Sequence, residues 1–146
     1  MKNLIFIFLA FSFTTFTSCS KDDGGSGSGD CSLEAKIDGA DWCGSANFNV
    51  LDLGIAGTIT SIGAGNTDME AVSLQFMDKT TGTYDLAGKL ASYTENGTAY
   101  QSTSGTLTIS KFEGDKISGT FSFEAADLNG NTVSVTGGKF DNLKKQ

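Results

Sequence analysis

From Leu33 to the C-terminus, apolar side chains recur at every second position and show no sustained helical spacing. Leu33, Ala35 and Ile37 alternate with Glu34 and Lys36, and Val72, Leu74 and Phe76 with Ser73 and Gln75. Leu107 and Ile109 alternate with Thr106, Thr108 and Ser110. Ile117, Phe121 and Phe123 alternate with Ser118, Thr120 and Ser122, and Val133 and Val135 with Thr132, Ser134 and Thr136. A period of two sends successive side chains to opposite faces of an extended chain, so each run has one buried and one wet face. Turn signals separate the runs: Asp38-Gly39, Asn96-Gly97, Glu113-Gly114-Asp115 and Asn129-Gly130-Asn131. The pattern predicts an all-β protein, an antiparallel β-sandwich of about eight to ten short strands. A partly closed, calycin-like barrel is the alternative.

Turn chemistry sets local register. A two-residue Asp38-Gly39 turn puts Lys36 opposite Asp41 and Ala35 opposite Trp42, which places the single tryptophan on the apolar face. An Asn96-Gly97 turn likewise sets Tyr93 directly opposite Tyr100. At the last turn, a two-residue loop would set Ala126 against Val133, core against solvent. A three-residue Asn129-Gly130-Asn131 loop sets Ala125 opposite Val135 and keeps both on one face, so that hairpin is expected, with one left-handed residue.

The chain contains no histidine, arginine or proline. The usual base of a serine or cysteine triad is therefore missing, as are the commonest zinc ligand and the bidentate fork that grips phosphate. With a pI of about 4.3 and no basic stripe, there is no nucleic-acid footprint. Asp127-Leu128-Asn129-Gly130-Asn131 looks like the start of a calcium loop, but its glycine is fourth instead of sixth. The twelfth position is Gly138, not glutamate, so a hairpin turn is the better reading. Carboxylate pairs at Asp38/Asp41, Asp68/Glu70, Glu113/Asp115 and Glu124/Asp127 sit mostly at turns, where such residues are simply solvated. No catalytic, cofactor or metal residue is assigned. A non-enzymatic binding or accessory module is expected, and a carboxylate-dependent carbohydrate-active enzyme or small-ligand barrel is the alternative.

Tyr93 and Tyr100 form the candidate ligand platform. Two adjacent phenols offer a stacking surface for a sugar ring, with Glu95, Thr98 and Ser102 as hydrogen-bonding neighbours. That arrangement suits a glycan or a surface-protein partner. The competing reading is a cross-strand aromatic pair that only stabilises the sheet.

Residues 1–18 have a different texture. Lys2 is followed by an apolar stretch of about ten residues, half of what a membrane span requires, and then by small hydroxyl residues. This is a secretory signal layout. It ends at Phe16-Thr17-Ser18-Cys19, which resembles a bacterial lipoprotein box. The resemblance implies that Cys19 becomes the first mature residue and carries acyl chains that anchor the protein in the membrane. Each buried methylene contributes about 0.8 kcal/mol, and more than one chain is needed for stable anchoring. Ser20-Lys21-Asp22-Asp23 resembles the short charged signal that sends Bacteroidota lipoproteins to the outer face of the outer membrane. Residues 19–30 are then a lipidated cysteine and a flexible Gly/Ser tether, with a reach of about 18 Å. Residues 31–146 are one β domain. Loss of residues 1–18 removes only Lys2 among charged residues, so the net charge of −7 becomes −8.

With Cys19 lipidated, Cys31 and Cys43 are an even pair in an oxidising compartment, and a disulfide is expected. Register opposes it. Opposite Glu34, Cys43 falls three strand residues, about 10 Å, from Cys31, with the two side chains on opposite faces. A bond needs Cα atoms within about 7 Å, so the chain near one cysteine must leave ideal register.

The stretches AKIDGADW, GTYDL, SGTLTI, ISGTFSFEA and VTGGKF resemble a family of small Bacteroidota lipoproteins of unassigned activity. The resemblance implies fold and location and carries over no catalytic residue.

Overall fold

The computed structural model describes residues 31–146. The signal at 1–18, the Cys19 lipidation and the 19–30 tether lie outside the described residues. Nine strands follow one another: β1 (Leu33–Ile37), β2 (Ala40–Asp52), β3 (Thr58–Gly65), β4 (Ala71–Phe76), β5 (Gly82–Asp85), β6 (Ala91–Glu95), β7 (Thr98–Glu113), β8 (Lys116–Ala126) and β9 (Thr132–Lys144).

All pairings between these nine strands are antiparallel, and the sheet closes on itself. Around the circuit run β7, β6, β4, β3, β2, β1, β9 and β8, with β8 returning to β7. The remaining strand, β5, continues the line of β6 along the same edge of β7, at Thr106 to Ile109. The all-β architecture therefore takes the barrel form. Closure removes the exposed edges that a two-sheet arrangement would leave.

The local registers follow turn chemistry. Asp38 and Gly39 both have positive φ, as do Asn96 and Gly97, the geometry of two-residue type I′ turns. Lys36 pairs with Asp41 and Ala35 with Trp42, and Tyr93 pairs with Tyr100. The Lys36 ammonium and the Asp41 carboxylate form an exposed ion pair.

The β8–β9 turn corrects the expected three-residue hairpin. Ala125 pairs with Val133, not Val135, and the connection spans residues 127–131. Asp127 is the cause. Its Oδ1 accepts the backbone N–H groups of Asn129 and Asn131, each at 2.8 Å, and its Oδ2 accepts the Asn131 amide at 2.7 Å. These bonds hold the Asp127 carboxyl below its ordinary pKa, the Asn131 side chain contributing most. Odd positions still face odd positions, and Gly130 is the left-handed glycine of the loop.

The Cys31–Cys43 disulfide forms with a Cα–Cα distance of 5.6 Å. Cys43 keeps its regular place opposite Glu34, so Cys31 is the residue that leaves register. Strand β1 begins at Leu33, and the N–H of Ser32 bonds back to the Gly44 carbonyl. Both cysteines are exposed, so the bond staples the entry of the chain to the outer wall of β2.

Alternate residues of every barrel strand point inward and form one core. Phe121 sits between Phe123 and Phe140, with ring centroids 6.3 Å from each. Gly138 makes room for it: a Cβ there would lie 2.5 Å from the Phe121 ring. Register shifts in β7–β8 and β8–β9 mark bulges, which bend and twist the wall enough to close it.

Candidate functional site at the barrel mouth

The β1–β2, β3–β4, β6–β7 and β8–β9 connections all emerge at one end of the barrel. The other end carries the β2–β3 and β7–β8 connections and the C-terminus, where the Gln146 N–H reaches the Phe48 carbonyl at 2.9 Å. At the first end the core stops short of the rim. A cavity of about 250 Å³ opens there, lined by residues of β1 and β2, the β3–β4 loop, the β6–β7 hairpin and the start of β9.

Its deep wall is aromatic. Tyr93 is 2 % exposed, and its ring stacks on the half-buried Tyr100 with centroids 6.1 Å apart and planes 30° from parallel. The Tyr93–Tyr100 pair expected from the Asn96-Gly97 turn thus forms, with Tyr93 packed into the core beneath the barrel mouth and not on an outer face. Trp42, 6 % exposed, lines the same cavity. Its indole lies over Gly44, where a Cβ would meet the ring at 2.6 Å. Among the described residues, Trp42 Nε1 is the one buried side-chain nitrogen or oxygen with no hydrogen-bond partner.

Apart from Thr132, the remaining polar lining is acidic: Asp38, Asp41, Glu70 and Glu95. Glu70 is the best held. Its Oε1 accepts the Tyr93 hydroxyl at 3.1 Å and its Oε2 accepts the Asn66 amide at 2.6 Å. Asn66 folds the β3–β4 loop around itself, accepting the N–H groups of Asp68 and Glu70 on its Oδ1 at 3.0 and 3.1 Å. Burial first, then the hydrogen bond and charge of Glu70, then Glu95 and Tyr100, push the Tyr93 phenol well above its ordinary pKa. At neutral pH it is a protonated donor, not a base.

Not every expected neighbour arrives. Ser102 is buried, and its hydroxyl serves the segment before β6, donating to the Leu86 carbonyl and accepting the Ala91 N–H at 2.9 Å. It therefore offers a ligand nothing. Thr98 is exposed and does not line the cavity, whereas Glu95 does. Glu70 escaped sequence reasoning, which left it as one of a pair of solvated turn carboxylates. The Asn66-to-Glu70 spacing was the available signal, since an asparagine that caps its own loop orients the residue closing it. Among the described residues, no group of three or more acidic or cysteine side chains is placed to hold a metal ion.

No curated protein and no solved structure matches the chain. A family model covers residues 30–144, nearly the whole described barrel, and on that match the chain belongs to the DUF6252 family, a domain of unknown function.

Proposed function

We propose that this protein is a lipid-anchored lipoprotein of the outer membrane, facing the exterior, and a non-enzymatic binding module that captures a small ligand in its barrel mouth. The cavity carries this reading: it joins a largely buried aromatic wall to a rim of carboxylates, three of them exposed and Glu70 half-buried, the common make-up of a ligand pocket. Anchoring is supported by the Phe16-to-Cys19 lipoprotein box and the glycine-rich segment after it. A wall that crossed a bilayer would be apolar outside and polar inside. Here the inward positions are apolar, while outward ones such as Lys36, Thr106 and Thr108 are polar, which suits a barrel tethered beside the membrane. The non-enzymatic reading is supported by the site's own chemistry. Both Glu70 oxygens are engaged by neutral donors, and Tyr93 holds its proton tightly.

Cys19→Ala tests the anchor. The variant should lose incorporated acyl label and leave the outer-membrane fraction, while Lys21, Asp22 and Asp23 changed together to alanine should keep the label and become inaccessible to added protease. Acyl label on the Cys19→Ala chain would refute lipidation at that residue.

A further inference from the structure

We infer that the barrel mouth takes a small organic ammonium ion that also carries a hydrogen-bond acceptor, the chemistry of an amino alcohol or its N-methylated form. The inference rests on the binding-module reading above and names its ligand.

Charge comes first. Among the described residues the ion pairs are Lys36–Asp41 and Lys111–Glu113. Of the four carboxylates lining the cavity, only Asp41 therefore has a lysine partner, and the other three leave the mouth strongly negative. Among the described residues, Lys36 is the only lysine near this end. The other described lysines lie lower on β7, β8 and β9, just after β9, or in the connections at and towards the opposite end.

The walls choose among cations. A hard divalent ion wants six or more oxygen ligands. This cavity is instead lined by Trp42, Tyr93 and Tyr100, aromatic residues of the kind whose ring faces attract weakly hydrated ammonium groups. A volume of about 250 Å³ lies below the roughly 300–1,000 Å³ of drug-sized pockets, so the occupant is one head group and not a saccharide chain.

The acceptor follows from Trp42. A buried indole N–H without a partner is costly, and nearly all such groups in folded proteins are satisfied. Trp42 lines this cavity with its Nε1 closed off from solvent, so a ligand hydroxyl or carbonyl supplies the missing partner only once the indole edge opens towards the cavity.

The single tryptophan also makes the site self-reporting, because intrinsic indole fluorescence comes from the cavity wall alone. The purified full chain in detergent, in sodium phosphate without amine buffers, is titrated with choline, with its uncharged isostere 3,3-dimethylbutan-1-ol, and with glucose. Saturable change with choline and none with the isostere is expected. Glu95→Gln, at an exposed position, should weaken choline binding about tenfold with no change in melting temperature. Tyr100→Ala should abolish the response and Tyr100→Phe should restore it. Equal responses to choline and the isostere overturn the cation. Silence to choline with a saturable response to glucose also overturns it, yet leaves the mouth as a binding site. Silence to all three overturns the site as well.

Discussion

The Tyr93 hydroxyl donates to Glu70 Oε1 at 3.1 Å, joining a core strand to a loop that is not its neighbour in sequence. Tyr93 pairs with Val72 across β4–β6, and Glu70 sits just before β4. The bond thus ties the barrel interior to the rim of its mouth.

This bond makes alkaline titration informative. The folded pKa of Tyr93 is raised, so its contribution to stability is complete below the unfolded value of about 10 and is lost as pH rises through the folded value. Urea midpoints should fall more steeply above about pH 10 in the native protein than in Tyr93→Phe. Ultraviolet titration of Glu70→Gln should show one tyrosine ionising earlier than in the native chain. Its pKa should not return fully to normal, since burial, the largest cause, remains. Superimposable titration curves would show that Glu70 does not act on this phenol.

The two tyrosines should separate cleanly in unfolding experiments. Tyr93→Ala empties a fully buried site and should cost about 3–5 kcal/mol. Tyr100→Ala removes one half-buried member of a cross-strand pair and should cost about 1 kcal/mol or less. Similar small losses at both positions would be incompatible with Tyr93 facing inward.

The staple at Cys31–Cys43 closes a short loop, with a sequence separation of 12. On the chain-entropy account, reduction should cost about 3 kcal/mol. In a Cys19→Ala chain, denatured without reductant, a thiol titration should find no reactive sulfhydryl. Two reacting groups would mean that the bond does not form.

Gly138 tests how tightly the interior is filled. A methyl group there would sit 2.5 Å from a Phe121 ring that is itself 4 % exposed and hemmed in by two further phenylalanines. Gly138→Ala should therefore cost about 1–3 kcal/mol by overpacking. A combined Gly138→Ala and Phe121→Leu chain should recover part of that loss. An unchanged midpoint in the single variant would show that the ring can move aside.

Much of this barrel is legible in the residues themselves, wherever the controlling physics is local. Alternation places Leu33, Val72, Leu107, Phe121 and Val135 inside because a strand has only two faces. Asp38-Gly39 and Asn96-Gly97 set the Ala35–Trp42 and Tyr93–Tyr100 pairs because type I′ turns need two consecutive residues at positive φ. The same local reasoning falters at residues 127–131, where one carboxylate gathers three donors and enlarges the turn. It falters again before β1, where Cys31 abandons the strand to reach Cys43.

What the chain determined alone is its strands, their faces and the partners joined by short turns. Tertiary structure alone decided that β1 meets β9, that β4 meets β6 and that β8 returns to β7. A period of two says which side of a strand is apolar but not which distant strand will share it; bulges and accumulated twist settle that choice. Glu70, Trp42 and Tyr93 reach one cavity only through those long-range pairings, so the mouth exists as a site only once the barrel has closed.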